Sequence, residues 1–129
     1  MKRLRLIISR AGDWSAARIW YRDVLGLSEA RGWDGGAGNR GAFFAVDSGE
    51  IEVMEESITA FTPIPDTDRP PQMTLALQVE DLDREWKRLL DHGIRVLQPP
   101  TDRPWGSRDF LVADPNGLPV LVFQHDGEG

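Results

Sequence analysis

The chain has 129 residues, 40% of them apolar, with 15 basic against 21 acidic side chains and a formal charge of −6. This length suits one domain, or two small halves sharing one core, and the acidic balance disfavours a broad nucleic-acid footprint. With no cysteine, disulfides, thiolate metal centres and cysteine nucleophiles are excluded, and the short N-terminal apolar run broken by Arg10 leads us to expect neither a signal peptide nor a membrane span, hence the cytoplasm.

Leu4, Leu6 and Ile8 alternate with Arg5, Ile7 and Ser9, the period of a first strand. Asp13 is an expected N-cap for a helix from about Trp14 to Leu25, whose stripe is Ala17, Trp20, Tyr21, Val24 and Leu25, and Gly26 ends it. A short strand is expected at Leu27 to Arg31, and Asp34-Gly35-Gly36-Ala37-Gly38-Asn39 reads as a hairpin tip. A phosphate cradle is not expected there, because neither a helix pattern nor Gly-Lys-Ser/Thr follows. Strands follow at Ala42 to Val46 and Ile51 to Glu55, joined by a turn at Asp47 to Glu50.

Residues 57–71, with prolines at 63, 65, 70 and 71, read as a linker. Then the pattern repeats. A strand at Met73 to Val79 precedes a helix from Leu82 to Asp91, capped by Asp81 and ended by Gly93. A short strand at Ile94 to Leu97 precedes a hairpin, Phe110 to Ala113 and Val120 to Phe123, closed by Asp114-Pro115-Asn116-Gly117. In that turn Pro115 sets φ near −65° and Gly117 takes a positive φ without a Cβ clash. Asp13-Trp14 corresponds to Asp81-Leu82, Leu25-Gly26-Leu27 to His92-Gly93-Ile94, and the turn at Asp47 to that at Asp114. The expected fold is α+β, a single domain over residues 1–129. It holds two tandem βαβββ modules, at about 2–56 and 72–125, whose curved sheets enclose a cleft with the helices outside.

Trp20-Tyr21-Arg22-Asp23-Val24-Leu25-Gly26-Leu27, with Glu80-Asp81-Leu82 and Asp114-Pro115-Asn116-Gly117 in the second half, resembles the vicinal oxygen chelate superfamily. That group contains glyoxalase I, bleomycin-resistance proteins, fosfomycin-resistance enzymes and extradiol dioxygenases. The resemblance covers roughly Lys2 to Gln124; it implies the fold and leaves the reaction open. In metal-dependent members the ligands come from first and last strands of the modules. The resemblance carries those positions onto Leu6, Glu52, Thr74 and Leu121, of which Glu52 alone is a competent ligand. The two histidines, His92 after a helix and His125 beyond the last strand, read as surface residues, so no metal and no cofactor are expected. Glu50, Glu52 and Glu56 share a strand face but spread over about 20 Å.

The expected cleft is lined by Leu6, Ile8, Phe44, Met54, Thr74, Ala76, Leu121 and Phe123, with Glu52 at depth and Trp33, Phe61 and Trp105 at the mouth. Such side chains equally suit a plain inter-sheet core. In that alternative Glu52 pairs with an arginine such as Arg5 or Arg108, since a lone carboxylate in a core is costly. The functional expectation is a metal-independent binding protein, a homodimer, holding an aromatic or amphipathic and neutral-to-cationic organic ligand. No membrane or nucleic-acid partner is expected. The alternative is a lyase, isomerase or dioxygenase using Glu52 as general base, with Arg108 as electrophilic donor, or as sole protein ligand to a metal. A third reading is a regulatory module with a vestigial cleft.

Overall fold

A computed structural model describes residues 3–9, 11–55 and 73–125. The elements run β1 (Leu4–Ile8), α1 (Trp14–Ile19), a π-helical segment (Trp20–Val24), β2 (Ser28–Asp34), β3 (Arg40–Val46) and β4 (Gly49–Met54). Then follow β5 (Leu75–Gln78), α2 (Leu82–Asp91), β6 (Arg95–Asp102), β7 (Ser107–Ala113) and β8 (Pro119–His125). The chain divides into two compact units, Met1–Pro70 and Pro71–Gly129. Each is a βαβββ module carrying an open four-stranded sheet, ordered β1-β4-β3-β2 in the first and β5-β8-β7-β6 in the second. In both, the first and last strands pair in parallel and the others antiparallel. The fold is α+β, as the repeat implies. Among the described residues no helix is long and apolar enough to cross a membrane.

Both helices start where their caps predict. The Ala16 amide donates to Asp13 Oδ1 at 3.1 Å, and the Arg84 amide donates to Asp81 Oδ1 at 3.1 Å. Each cap satisfies one orphan donor, a contribution of about 1 kcal/mol. The first helix does not run to Leu25 as one α-helix. Its end widens into a π-helical turn, in which the Leu25 amide donates to the Trp20 carbonyl at 2.7 Å. The widened turn lets both consecutive aromatics face inward, with Tyr21 fully buried, Trp20 7% exposed, and their rings edge to face at 5.0 Å. Gly26, at φ 85°, then turns the chain into β2.

Each helix packs on the inner strands of its own sheet: α1 on β3 and β4, α2 on β7 and β8. In the first module this covered face buries Ala42, Phe44, Ile51 and Val53 against Ala17 and Tyr21, whose ring lies 5.8 Å from that of Phe44. In the second it buries Phe110, Val112, Val120 and Val122 under Leu82 and Leu89, with Trp86 5.1 Å from Phe110. A fully buried side chain of this size stabilises by about 1.5–3 kcal/mol, so these two layers are the principal cores.

Several strands are longer than the pattern predicts. β2 extends to Asp34 and β6 to Asp102, both through register shifts, at Glu29/Arg31 in β2 and between Val96 and Thr101 in β6. Bulges break the period-2 alternation that marks a strand in sequence, and in β6 the interrupted stretch contains Pro99 and Pro100. β8 continues to His125, so that histidine belongs to the sheet and not to the tail beyond it.

The Asp114 turn is built by its side chain. Its Oδ1 accepts from the Asn116 amide at 2.9 Å and from the Leu118 amide at 2.8 Å, while Gly117 sits at φ 89°.

Candidate functional site

Side chains alternate across a sheet, so the strand register decides which face each candidate occupies. In the first module Ile7 pairs with Glu52 and Glu52 with Phe43. Phe43 pairs in turn with Arg31. These four therefore share one row on the face away from α1. Two residues along, Arg5 pairs with Glu50, and in the other direction Met54 pairs with Gly41 and Gly41 with Trp33. Trp33 lies 5.7 Å from Phe43 and spreads over Gly41, where an added Cβ would stand 2.3 Å from two ring carbons. The absence of a side chain at Gly41 is what gives the indole its place.

Three of the expected lining residues are on the other face. Leu6 pairs with Ile51, Ile8 with Val53, and Phe44 with Ile51, so all three point to the helix-covered side. Phe44 is fully buried there. The N-terminal strand is apolar in both phases, and only the pairing with β4 reveals which phase joins Glu52. That position is Ile7. The aliphatic character of the first-strand ligand position is unaffected, because Leu6 and Ile7 are equally unable to bind a cation.

Glu52 is half-buried, and its side chain makes no ion pair or hydrogen bond among the described residues. The arginines offered as its partners are engaged elsewhere. Arg5 donates through Nε to Glu50 at 2.8 Å. Arg108 pairs with Asp102 at 3.0 Å and with Asp83 of α2 at 3.4 Å, on the helix-covered side of the second module. Glu50 also receives Arg31 at 3.2 Å, and hydrogen bonds from Arg31 and then Arg5 hold its carboxyl below the usual carboxylate range. Arg31 stacks over Phe43 at 3.9 Å, and Arg5 stands 5.0 Å from the same ring. Sequence reasoning left out Phe43, Glu50 and Arg31 as site residues. For Arg31 the β2 bulge is why: it shifts the alternation between Glu29 and Arg31, and nothing local announces it. Phe43 was passed over for its neighbour Phe44, and Glu50 was set aside once it could not join a metal site.

In the second module Ala76 pairs with Leu121, and Phe123 with Asp109, all on the face away from α2. Thr74 immediately precedes β5 and is exposed. Phe123 meets His125 edge to face at 5.2 Å. Asp109, 5% exposed, accepts from Arg103 Nε at 3.0 Å and Nη2 at 2.8 Å, and Arg103 also donates to Gln98 Oε1 at 3.0 Å. This paired carboxylate raises the Arg103 guanidinium pKa. Trp105, 71% exposed in the β6–β7 turn, has the same guanidinium 5.9 Å from its ring. Phe61 lies outside the described residues.

Among the described residues no three His, Asp or Glu side chains group so as to hold a metal ion. The donors that the family resemblance assigns, Leu6, Glu52, Thr74 and Leu121, do not fit a transition metal either: two are aliphatic and a threonine hydroxyl is a poor replacement for imidazole.

Solved structures share this fold across nearly the whole chain. TioX from Micromonospora sp. ML1 is 20% identical with a TM-score of 0.70, covering 98% of each chain. Lactoylglutathione lyase from Agrobacterium tumefaciens is 23% identical with a TM-score of 0.67, covering 96% of this chain and 92% of the other. An antibiotic binding protein from Streptomyces sp. CB03234 is 21% identical with a TM-score of 0.67, covering 98% and 95%. No curated protein matches the chain. The family model described as Glyoxalase/Bleomycin resistance protein/Dioxygenase superfamily matches residues 3–122, and the chain belongs to that superfamily.

Proposed function

We propose that this chain is a metal-independent small-molecule binding protein that holds an aromatic or amphipathic organic ligand. The observation that carries this reading is the row Ile7–Glu52–Phe43 with Met54 and Trp33 beside it. It is an apolar, aromatic surface around one half-buried carboxylate with no partner among the described residues. A partly dehydrated carboxylate gains from a ligand that donates to it or carries a positive charge, and the indole face suits a planar body. In the second module Ala76, Leu121 and Phe123 offer a similar apolar strip, and Trp105 is exposed in the β6–β7 turn.

Fold likeness does not choose between binding and catalysis, since it reaches both an antibiotic binding protein and a lyase. The residues favour binding. A general base needs an electrophilic donor aimed at the same substrate, and Arg108, the donor expected for that role, is committed to Asp102 and Asp83 on a helix-covered face. Glu52, without a partner among the described residues, still supports catalysis as the second reading, as general base of a lyase or isomerase.

The test is a pair of titrations followed by calorimetry, with 1-naphthylmethylammonium as the cationic probe and 1-naphthalenemethanol as the neutral one. Both should bind, and Glu52→Gln should weaken the cation about tenfold and the alcohol little. Protein incubated with Ni²⁺, Zn²⁺, Fe²⁺ or Mn²⁺ and then desalted should retain no stoichiometric metal. An unchanged cation-to-alcohol ranking in Glu52→Gln, or one tightly held ion per chain, would overturn the proposal.

A further inference from the structure

One end of the first module's far face has a different chemistry. A hollow of about 430 Å³ is lined by Arg3, Leu4, Arg5, Arg31 and Glu50. Three guanidiniums against one carboxylate leave a local excess of positive charge in a chain whose formal charge is −6. Arg5 and Arg31 approach from opposite edges of the sheet, β1 and β2, and their Nη2 atoms converge on the same oxygen of Glu50, Oε1. Glu50 thus demonstrates that this pair of arginines can grip one carboxylate.

The grip is far from saturated. A guanidinium carries five N–H donors. Among the described residues Arg3 uses one, on the Gly49 carbonyl at 3.2 Å, and Arg5 and Arg31 use two each, all on Glu50. The Arg5 and Arg31 side chains are 47% and 53% exposed while Glu50 is 14% exposed, so the unused donors belong to the accessible partners and not to the covered one. Arg31 is held in place by the Phe43 ring beneath it at 3.9 Å, which lowers the entropy lost when its donors engage a ligand. Leu4 also lines the hollow at the end of β1, although its side chain alternates with that of Arg5, and Ile7, two residues along on the same face as Arg5, leaves 36% of its surface exposed as an apolar margin.

We infer that this hollow is a binding site for an organic anion, a carboxylate or phosphate monoester with an apolar body. The anionic group is held by Arg3, Arg5 and Arg31, and the body lies along β1 against Ile7. Glu50 orients the arginines and, by its own charge, limits the affinity. Glu50 is two residues, about 6.6 Å, from Glu52 along β4, and the anion site does not use the Glu52 carboxylate.

The probes are 2-naphthoate and 2-naphthyl phosphate, titrated by calorimetry into the full chain, with inorganic phosphate as the third arm. Wild type should bind at least one naphthyl anion saturably at one site per chain, more tightly than inorganic phosphate. The naphthoate and naphthyl phosphate arms distinguish carboxylate from phosphate monoester. Arg5→Gln with Arg31→Gln should lose at least about tenfold in affinity, while Glu50→Gln should tighten binding about threefold or more by removing the competing charge. A purely structural role for Glu50 predicts the opposite sign. The circular dichroism spectrum and thermal unfolding midpoint of each variant separate loss of this site from loss of the fold. Should the double variant fail to fold, Glu50→Gln alone decides. No saturable naphthyl-anion binding, inorganic phosphate binding as tightly as the naphthyl compounds, or unchanged or weaker binding in Glu50→Gln overturns the inference. Failure of the Glu52→Gln experiment leaves these outcomes untouched.

Discussion

Gly41→Ala is the most informative single substitution on the first module's far face. A Cβ at this position would stand 2.3 Å from both Cη2 and Cζ2 of Trp33 and 2.9 Å from Cε2. Carbon atoms pack at about 3.5–4.0 Å, so the ring would have to withdraw by about 1.2–1.7 Å. It cannot do so freely, because its other neighbour is Phe43 at 5.7 Å. Overpacking of this kind costs about 1–3 kcal/mol. Against it stands a gain of about 0.4–1 kcal/mol, since alanine loses less backbone entropy on folding and Gly41 is outside the left-handed region. The net expectation is a loss of about 1–2 kcal/mol, or a Tm lowered by about 3–8 °C for a chain of this size. Thermal unfolding followed by circular dichroism measures it, and a Trp33→Ala background isolates the cause. With the indole gone, Gly41→Ala should become neutral or stabilising. If it costs the same in both backgrounds, to within about 0.3 kcal/mol, the ring does not occupy the space over Gly41 and the proposed aromatic wall is misplaced.

Asp114→Ala removes an acceptor, 5% exposed, from the Asn116 and Leu118 amides, and should cost about 1–3 kcal/mol by urea denaturation; a loss below about 0.5 kcal/mol refutes the role given to its side chain. Glu29 titrates below its usual 4.5 because of the hydrogen bond from Arg18. A depressed folded-state pKa stabilises above the unfolded value and is lost as pH falls through the folded one. Glu29→Gln should therefore be less stable than wild type at pH 7 and approach it in acid below pH 4.5; an equal gap at both pH values counts against the pair. The first-module edge strand β1 exposes Leu4 and Ile7, and the second-module edge strand β6 exposes Val96 and Leu97. Apolar edges of this kind favour association, so light scattering should report about twice the 14.5 kDa chain mass, and a monomer at high micromolar concentration refutes the dimer.

The module repeat was legible in sequence because its signals are local. Asp13 and Asp81 cap helices, Gly26 and Gly93 end them, and Asp114-Pro115-Asn116-Gly117 closes a hairpin, each through a contact within a few residues. The π-helical turn at Trp20–Val24 was not legible. Its cause is the burial of two consecutive aromatics, and that depends on the sheet beneath. The lengths of β2 and β6 were hidden for a related reason: bulges interrupt alternation, and a proline pair in β6 reads as loop.

The faces of the candidate site were harder still, and the difficulty has a single physical origin. Glu52 could be placed on a strand because Ile51, Glu52 and Val53 alternate cleanly. Its neighbours could not be assigned, since Leu4 to Ile8 is apolar at every position except Arg5, and either phase of that strand satisfies a hydrophobic face. A one-residue choice of register exchanges Leu6 and Ile8 for Ile7, and Phe44 for Phe43. The same choice moves Arg5 beside Glu50 and leaves Glu52 without it. That exchange separates the far face into two chemistries, a carboxylate without a partner among the described residues, set among aromatic and aliphatic side chains, and, one row away, a carboxylate already held by arginines. A ligand reading based on the chain's net charge alone would treat both as acidic. The register makes them opposite, and on the readings proposed above the first takes a donor or a cation while the second takes an anion.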